Sequence, residues 1–277
     1  MTIIQPSDMQ NAIAALAAPA PRGARSVTSD LTIDESLLLH GMGYEPTDLV
    51  SGVSVMAIPW GTFNIPYGQG SPVELPYATQ AVLEGFRVAE ERIRHEAASS
   101  GGTGIVGVSV DVEIAQLSVT VTMVGTSIRP IGSTKPGVGR PFMTDLSVRD
   151  FALLLRAGWA PLDLVSGASF VGSPLRGVRQ TLAQTGQNIE LGTLTQALQD
   201  AREKAMERMQ SAAVSERADG VVDVKIIDGP LGHSRHILVF ICYGTAVHLT
   251  AENHQRIEPD LVLPVDDNAG FEAASIR

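Results

Sequence analysis

Ten residues, Gly43-Tyr44-Glu45-Pro46-Thr47-Asp48-Leu49-Val50-Ser51-Gly52, return 115 positions later as Gly158-Trp159-Ala160-Pro161-Leu162-Asp163-Leu164-Val165-Ser166-Gly167. Three further blocks follow in the same order. Thr79-Gln80-Ala81 recurs as Thr195-Gln196-Ala197, Gly104-Ile105-Val106 as Gly220-Val221-Val222, and Gly125-Thr126 as Gly244-Thr245. The register drifts only between blocks, where loops absorb it. A chain of 277 residues written this way folds as two units of one design, and a repeat takes precedence over every other reading of the sequence.

The blocks carry a local structure. Ser147 can cap a helix whose apolar residues Phe151, Leu154 and Leu155 fall at helical spacing and which Gly158 stops. Pro161 then sends the chain out extended through Val165 and Phe170. Leu37 to Leu39, Gly43 and Pro46 do the same in the first copy. A long helix follows, with stripes Val82, Phe86, Ala89, Ile93, Ala97 and Leu194, Leu198, Ala201, Ala205, Met209. Its charges, Glu90, Glu91, Arg94 and Glu203, Lys204, Glu207, read as solvated faces. Two strands close each copy as a hairpin. Val106, Val108, Val110 and Val112 alternate with polar or small residues, as do Val119, Val121 and Met123. Ile237 to Val247 is apolar on nearly both faces, so that strand is central or covered from two sides. The class is α+β.

Ala201-Arg202-Glu203-Lys204-Ala205, Ala218-Asp219-Gly220-Val221-Val222, Gly244-Thr245-Ala246-Val247 and Leu164-Val165-Ser166-Gly167 together resemble the signature of the YbjQ-like family, labelled "putative heavy-metal-binding". The first copy is similar but worn, with Gly85 at the helix alanine and Gly125-Thr126-Ser127-Ile128 for the terminal motif. The resemblance implies two tandem dodecin-like β-α-β-β modules. Each would be a small antiparallel sheet of order 1-3-2 packed on one long helix and preceded by a short helix. It also implies pentameric rings. Small sheets with apolar strands need their edges covered, and closed cyclic symmetry does this, which supports a homo-oligomer independently. The expected organisation is an N-terminal arm over 1–30, repeats over 31–129 and 142–249, a linker over 130–141 rich in Gly and Pro, and an acidic tail over 250–277.

Composition narrows the partners. A net charge of −10 and a pI near 5.0 repel phosphate backbones and argue against nucleic acid. No apolar run is long enough to span a bilayer. The segment Ala12 to Ala20 resembles a short signal core, but residues 1–11 carry no Lys or Arg. The single cysteine, Cys242, pairs with nothing inside the chain and suits a reducing cytoplasm.

No catalytic constellation emerges. Soft metals want several Cys, His or Met groups converging. The best cluster is His233 and His236, with His40, His95, His248 and His254 elsewhere; solvated loop histidines are the simpler account of it, and Cys242 reads as core. Gly102-Thr103-Gly104-Ile105-Val106-Gly107 fits the dinucleotide fingerprint letter for letter. It leaves a helix and opens a strand, so the helix N-terminus that holds pyrophosphate is missing. Ser51 and Ser166 recur without a histidine base, and Asp48 and Asp163 read as turn or strand-start residues. The loop Asn64 to Tyr77, stiffened by Pro66, Pro72 and Pro76, is a candidate partner surface. The expectation is therefore a non-enzymatic, cytoplasmic, ring-forming binding or scaffold protein without catalytic, cofactor or metal residues. The alternative is a ring that binds metal or a small ligand between subunits.

Overall fold

Gly52 and Gly167, the last residues of the recurring ten-residue block, sit where backbone meets backbone. A Cβ on Gly52 would lie 2.1 Å from the Ala89 carbonyl oxygen, and one on Gly167 2.0 Å from that of Ala205. Each is the point at which a long helix touches its sheet, and the small helix residues Ala89 and Ala205, both fully buried, complete the approach. The block recurs because the same helix-on-sheet contact is made twice.

The computed structural model describes residues 27–63, 71–115, 117–133, 139–173, 192–231 and 234–251. Most of the expected arm and tail, residues 64–70 of the proline-containing loop, His233 and His254 lie outside them. The first half contains α1 (Ile33–Gly41), β1 (Tyr44–Ala57), β2 (Val73–Glu74), α2 (Pro76–Ser99), β3 (Gly104–Ile114) and β4 (Ser118–Pro130). The second contains β5 (Phe142–Met143), α3 (Val148–Arg156), β6 (Trp159–Gly172), α4 (Gly192–Ser215), β7 (Gly220–Leu231) and β8 (Ser234–Leu249).

Helix starts and stops follow their local chemistry. Thr32 and Glu35 form a reciprocal capping box on α1, and Ser147 accepts from the Asp150 N–H on α3. Gly43 and Gly158 leave these helices at φ +84° and +82°, a conformation open to glycine without cost. Pro76 opens α2, where its missing N–H costs nothing.

The sheets run in the orders β1-β4-β3-β5 and β2-β6-β8-β7. Both halves place their hairpin antiparallel with the last strand central, and their irregularities coincide. Bulges fall between Pro46/Asp48 and Pro161/Asp163, and between Val106/Ser109 and Val222/Lys225. The bulge in β3 puts Val106 and Val108 into different apolar clusters, which the plain valine alternation conceals.

Two short strands depart from the organisation read from sequence. Val73–Glu74 lies inside the segment taken as a surface loop, yet pairs antiparallel with β6 of the other half. Phe142–Met143, at the start of the second half, pairs parallel with β3 of the first. Each half thus extends the other's sheet, because an open edge of unpaired N–H and C=O groups is costly to leave bare.

The core follows from this exchange. The stripe of α2 packs on the first sheet, and the same cluster takes in Leu164, Ala168, Phe170, Val239, Ile241 and Tyr243 of the second. The opposite face of the second sheet, with Leu238, Phe240 and Cys242, packs on α4. Strand β8 is therefore both central and covered from two sides. Among the described residues no helix is long and apolar enough to cross a membrane.

Candidate functional site: the seam between the halves

Because α2 is covered on two sides, only part of its polar face is solvated as its sequence suggests: Glu91 is 71% exposed. Arg94 is buried and Glu90 largely so, with side chains 8% and 13% exposed. Arg94 Nη2 donates to Asp163 Oδ1 on β6, and its Nη1 lies 3.4 Å from Glu90 Oε2. Arg140 reaches Asp163 Oδ2 at 2.9 Å and Glu216 Oε1 at 3.0 Å. The Leu164 N–H also donates to Asp163 Oδ1, at 2.9 Å. Arg94 Nε is buried without a protein partner among the described residues. Glu90, Asp163, Glu216 and Arg140 line a cavity of about 360 Å³, together with Leu83, Arg87 and Ser166.

Electrostatics follow from the burial. Desolvation pushes the Glu90 carboxyl up to about 7, with the Arg94 charge opposing and the Asp163 charge adding to the shift. Asp163 is also raised by burial, against the pull of Arg94 and Arg140. The cluster is an ionic lock between α2 and β6.

Two smaller locks flank it. Glu74 on β2 lies 2.7 Å from Arg208 and 3.5 Å from Lys204 of α4, and accepts from Ser169 at 3.2 Å. Burial would raise its pKa, but the Arg208 hydrogen bond and the Arg208 and Lys204 charges bring it below the usual value. Past β5, Asp145 accepts from Thr245 Oγ1 at 2.5 Å and meets Lys225 at 3.0 Å. The N–H groups of Gly107 and Val108 donate to the Leu146 and Thr144 carbonyls, which continue the pairing of β5.

The residues singled out from sequence fall into place around this seam. Asp48 and Asp163 each accept from the next N–H, as strand-start residues, but Asp163 also holds the ionic lock. Sequence reasoning missed this role. The signal was available in the departures from the repeat: Gln210 stands where Arg94 does, and Met206 where Glu90 does. Ser51 takes Glu96 as its side-chain partner, not a histidine. Gly102 and Gly104 are needed for close approach, since added Cβ atoms would meet Ser127 Oγ at 1.9 Å and the Phe142 ring at 2.1 Å. Gly107 sits at φ +65° on the bulge. The fingerprint glycines are thus spent on packing.

Among the described residues no three His, Cys, Asp or Glu side chains form a ligand set. Cys242 is fully buried, its thiol raised to about 11 by burial, with Sγ 3.6 Å from the Gly167 carbonyl. Burial thus disfavours the thiolate that a soft metal needs. His236 is half-buried on β8, and His233 is outside the described residues.

Residues 163–250, spanning β6 through β8, match the YbjQ family, described as "Putative heavy-metal-binding". Over 250 residues the chain is 37% identical to the "Encapsulin nanocompartment protein Rv1762c" of Mycobacterium tuberculosis, covering 87% of this chain and 93% of that protein. The chain belongs to the same family as that protein. The kinship extends over both halves, because 87% of the chain cannot be accommodated in one of them. The matched family region begins at Asp163 itself, the residue that closes the ionic lock.

Proposed function

We propose that the chain is a non-enzymatic, cytoplasmic building block of a closed homo-oligomeric assembly, its halves being two copies of one dodecin-like β-α-β-β unit. The observation that carries this reading is the state of the sheet edges. One end of the outer edge of β3 and of β6 is covered by a two-residue strand from the opposite half, whereas the outer edges of β1 and β7 have no strand partner among the described residues. A chain that covers part of one edge of each sheet and leaves the other bare is suited to neighbours of its own kind. The relative's name, a nanocompartment protein, supports a scaffold role, and the YbjQ resemblance supports a ring of five. Multi-angle light scattering on the untagged chain at micromolar concentration tests it: a mass several times 29.3 kDa is expected, and a monomer refutes it.

A second reading draws on the family description. Metal or a small ligand would bind between subunits, since among the described residues of one chain no three His, Cys, Asp or Glu side chains converge. Elemental analysis of the assembled protein decides this, stoichiometric metal favouring it.

A further inference from the structure

The contact between the halves has an unused counterpart on the rest of the molecule. Superposing the sequence on itself by the offsets of the repeat matches α1 to α3, β1 to β6 and β3 to β7. Matched residues then differ in burial. Val148 on α3 is 0% exposed, packed with Leu39, Val106 and Ile128 of the first half, while its counterpart Ile33 on α1 is 81% exposed. Ala152 is buried and its counterpart Leu37 is 68% exposed. On the sheets, Phe170 is 0% exposed within the cluster that includes α2, whereas its counterpart Val55 is 64% exposed. Val27, the counterpart of the β5 residue Phe142, is exposed as well.

The receiving surface recurs too. In the internal seam Val148 packs with Leu39 and Val106. Their counterparts, Leu154 and Val222, line a groove of about 530 Å³ between α3 and β7, together with Ala157 and Asp223. Gly107 and its counterpart Asp223 share the left-handed bulge conformation, at φ +65° and +53°. Val108, next to that bulge, is buried under the pairing of Thr144 and Leu146, while its counterpart Val224 is 37% exposed. An apolar face and a groove that fits it therefore both stand open on one chain.

We infer that chains join head to tail by repeating the internal seam: the Ile33 and Leu37 face of one chain docks in the α3–β7 groove of the next, Val55 meets the α4 face of that chain as Phe170 meets α2 within one chain, and Val27–Thr28 lie along the outer edge of β7. The inference rests on the self-association proposed above and specifies its geometry. First and second halves alternate side by side around the assembly, and the contact is heterologous, with different patches on its two sides. The match is not complete. Ser36 stands where Phe151 does and Arg202 where Phe86 does, so the contact between chains is less apolar than the one within a chain.

The test uses two variants of the full chain, Leu37→Asp on the docking face and Val224→Asp on the receiving edge, with folding checked by circular dichroism. Each variant alone is expected to run as a 29.3 kDa monomer. Mixed in equal amounts, the two are expected to give a species of two chains, because each retains the surface the other has lost. A variant that keeps the wild-type mass, or a mixture that stays monomeric, overturns the head-to-tail contact. Wild-type protein that is itself monomeric removes the self-association reading as well.

Discussion

Replacing Gly167 by alanine tests the contact on which each half is built. The new Cβ would stand 2.0 Å from Ala205 O and 2.8 Å from Met209 N. Both are main-chain atoms of α4, so no rotamer change relieves the clash, and the helix must retreat from β6 by about 1 Å. A gap of that size forfeits a quarter to a half of the dispersion well for each facing atom pair. Those pairs include the buried residues Ala197, Ala201, Ala205 and Met209. Overpacking typically costs about 1–3 kcal/mol, and with backbone on both sides of the clash the loss should reach about 3 kcal/mol or more. Gly52→Ala should behave alike, meeting Ala89 O at 2.1 Å and Ile93 N at 2.9 Å. Gly41→Ala at the end of α1 meets nothing within 4 Å and serves as the control, expected within about 0.5 kcal/mol of wild type. Urea unfolding at one fixed protein concentration reads all three, since assembly would otherwise shift the midpoint. If Gly167→Ala lies within about 1 kcal/mol of wild type, the close-approach argument is wrong.

Two further outcomes follow from the buried groups. The Glu90 carboxyl, at about 7 in the folded chain against 4.5 when exposed, binds its proton more tightly folded than unfolded, so stability should fall as pH rises through that window and level off above it. Glu90→Gln should remove the slope and raise stability near pH 8 by at most about 3 kcal/mol; unfolding midpoints that keep the wild-type pH dependence would contradict the burial assigned to Glu90. The Cys242 thiol, buried and raised to about 11, should resist a disulfide reagent in the native protein and react once per chain in urea, and rapid native labelling would place it elsewhere than in the core.

The chain's local patterns determined its elements. Helical stripes, strand alternation, caps at Thr32 and Ser147 and stops at Gly43 and Gly158 depend on residues a few positions apart, and the repeat carried them into two matching orders of elements. The doubly apolar β8 announced its central place. The candidate site was far less legible. Glu90 and Arg94 have the spacing of a solvated helix face, and only the second sheet lying across α2 buries them against Asp163. The exchange of β2 and β5 is likewise absent from periodicity, since two-residue strands have no pattern to display. Their pairing is decided by which open edge the folded chain brings within hydrogen-bonding reach. Sequence determined what each segment can form, because that is a matter of near neighbours; tertiary structure decided which polar groups lose their water, because that depends on surfaces delivered from about a hundred residues away.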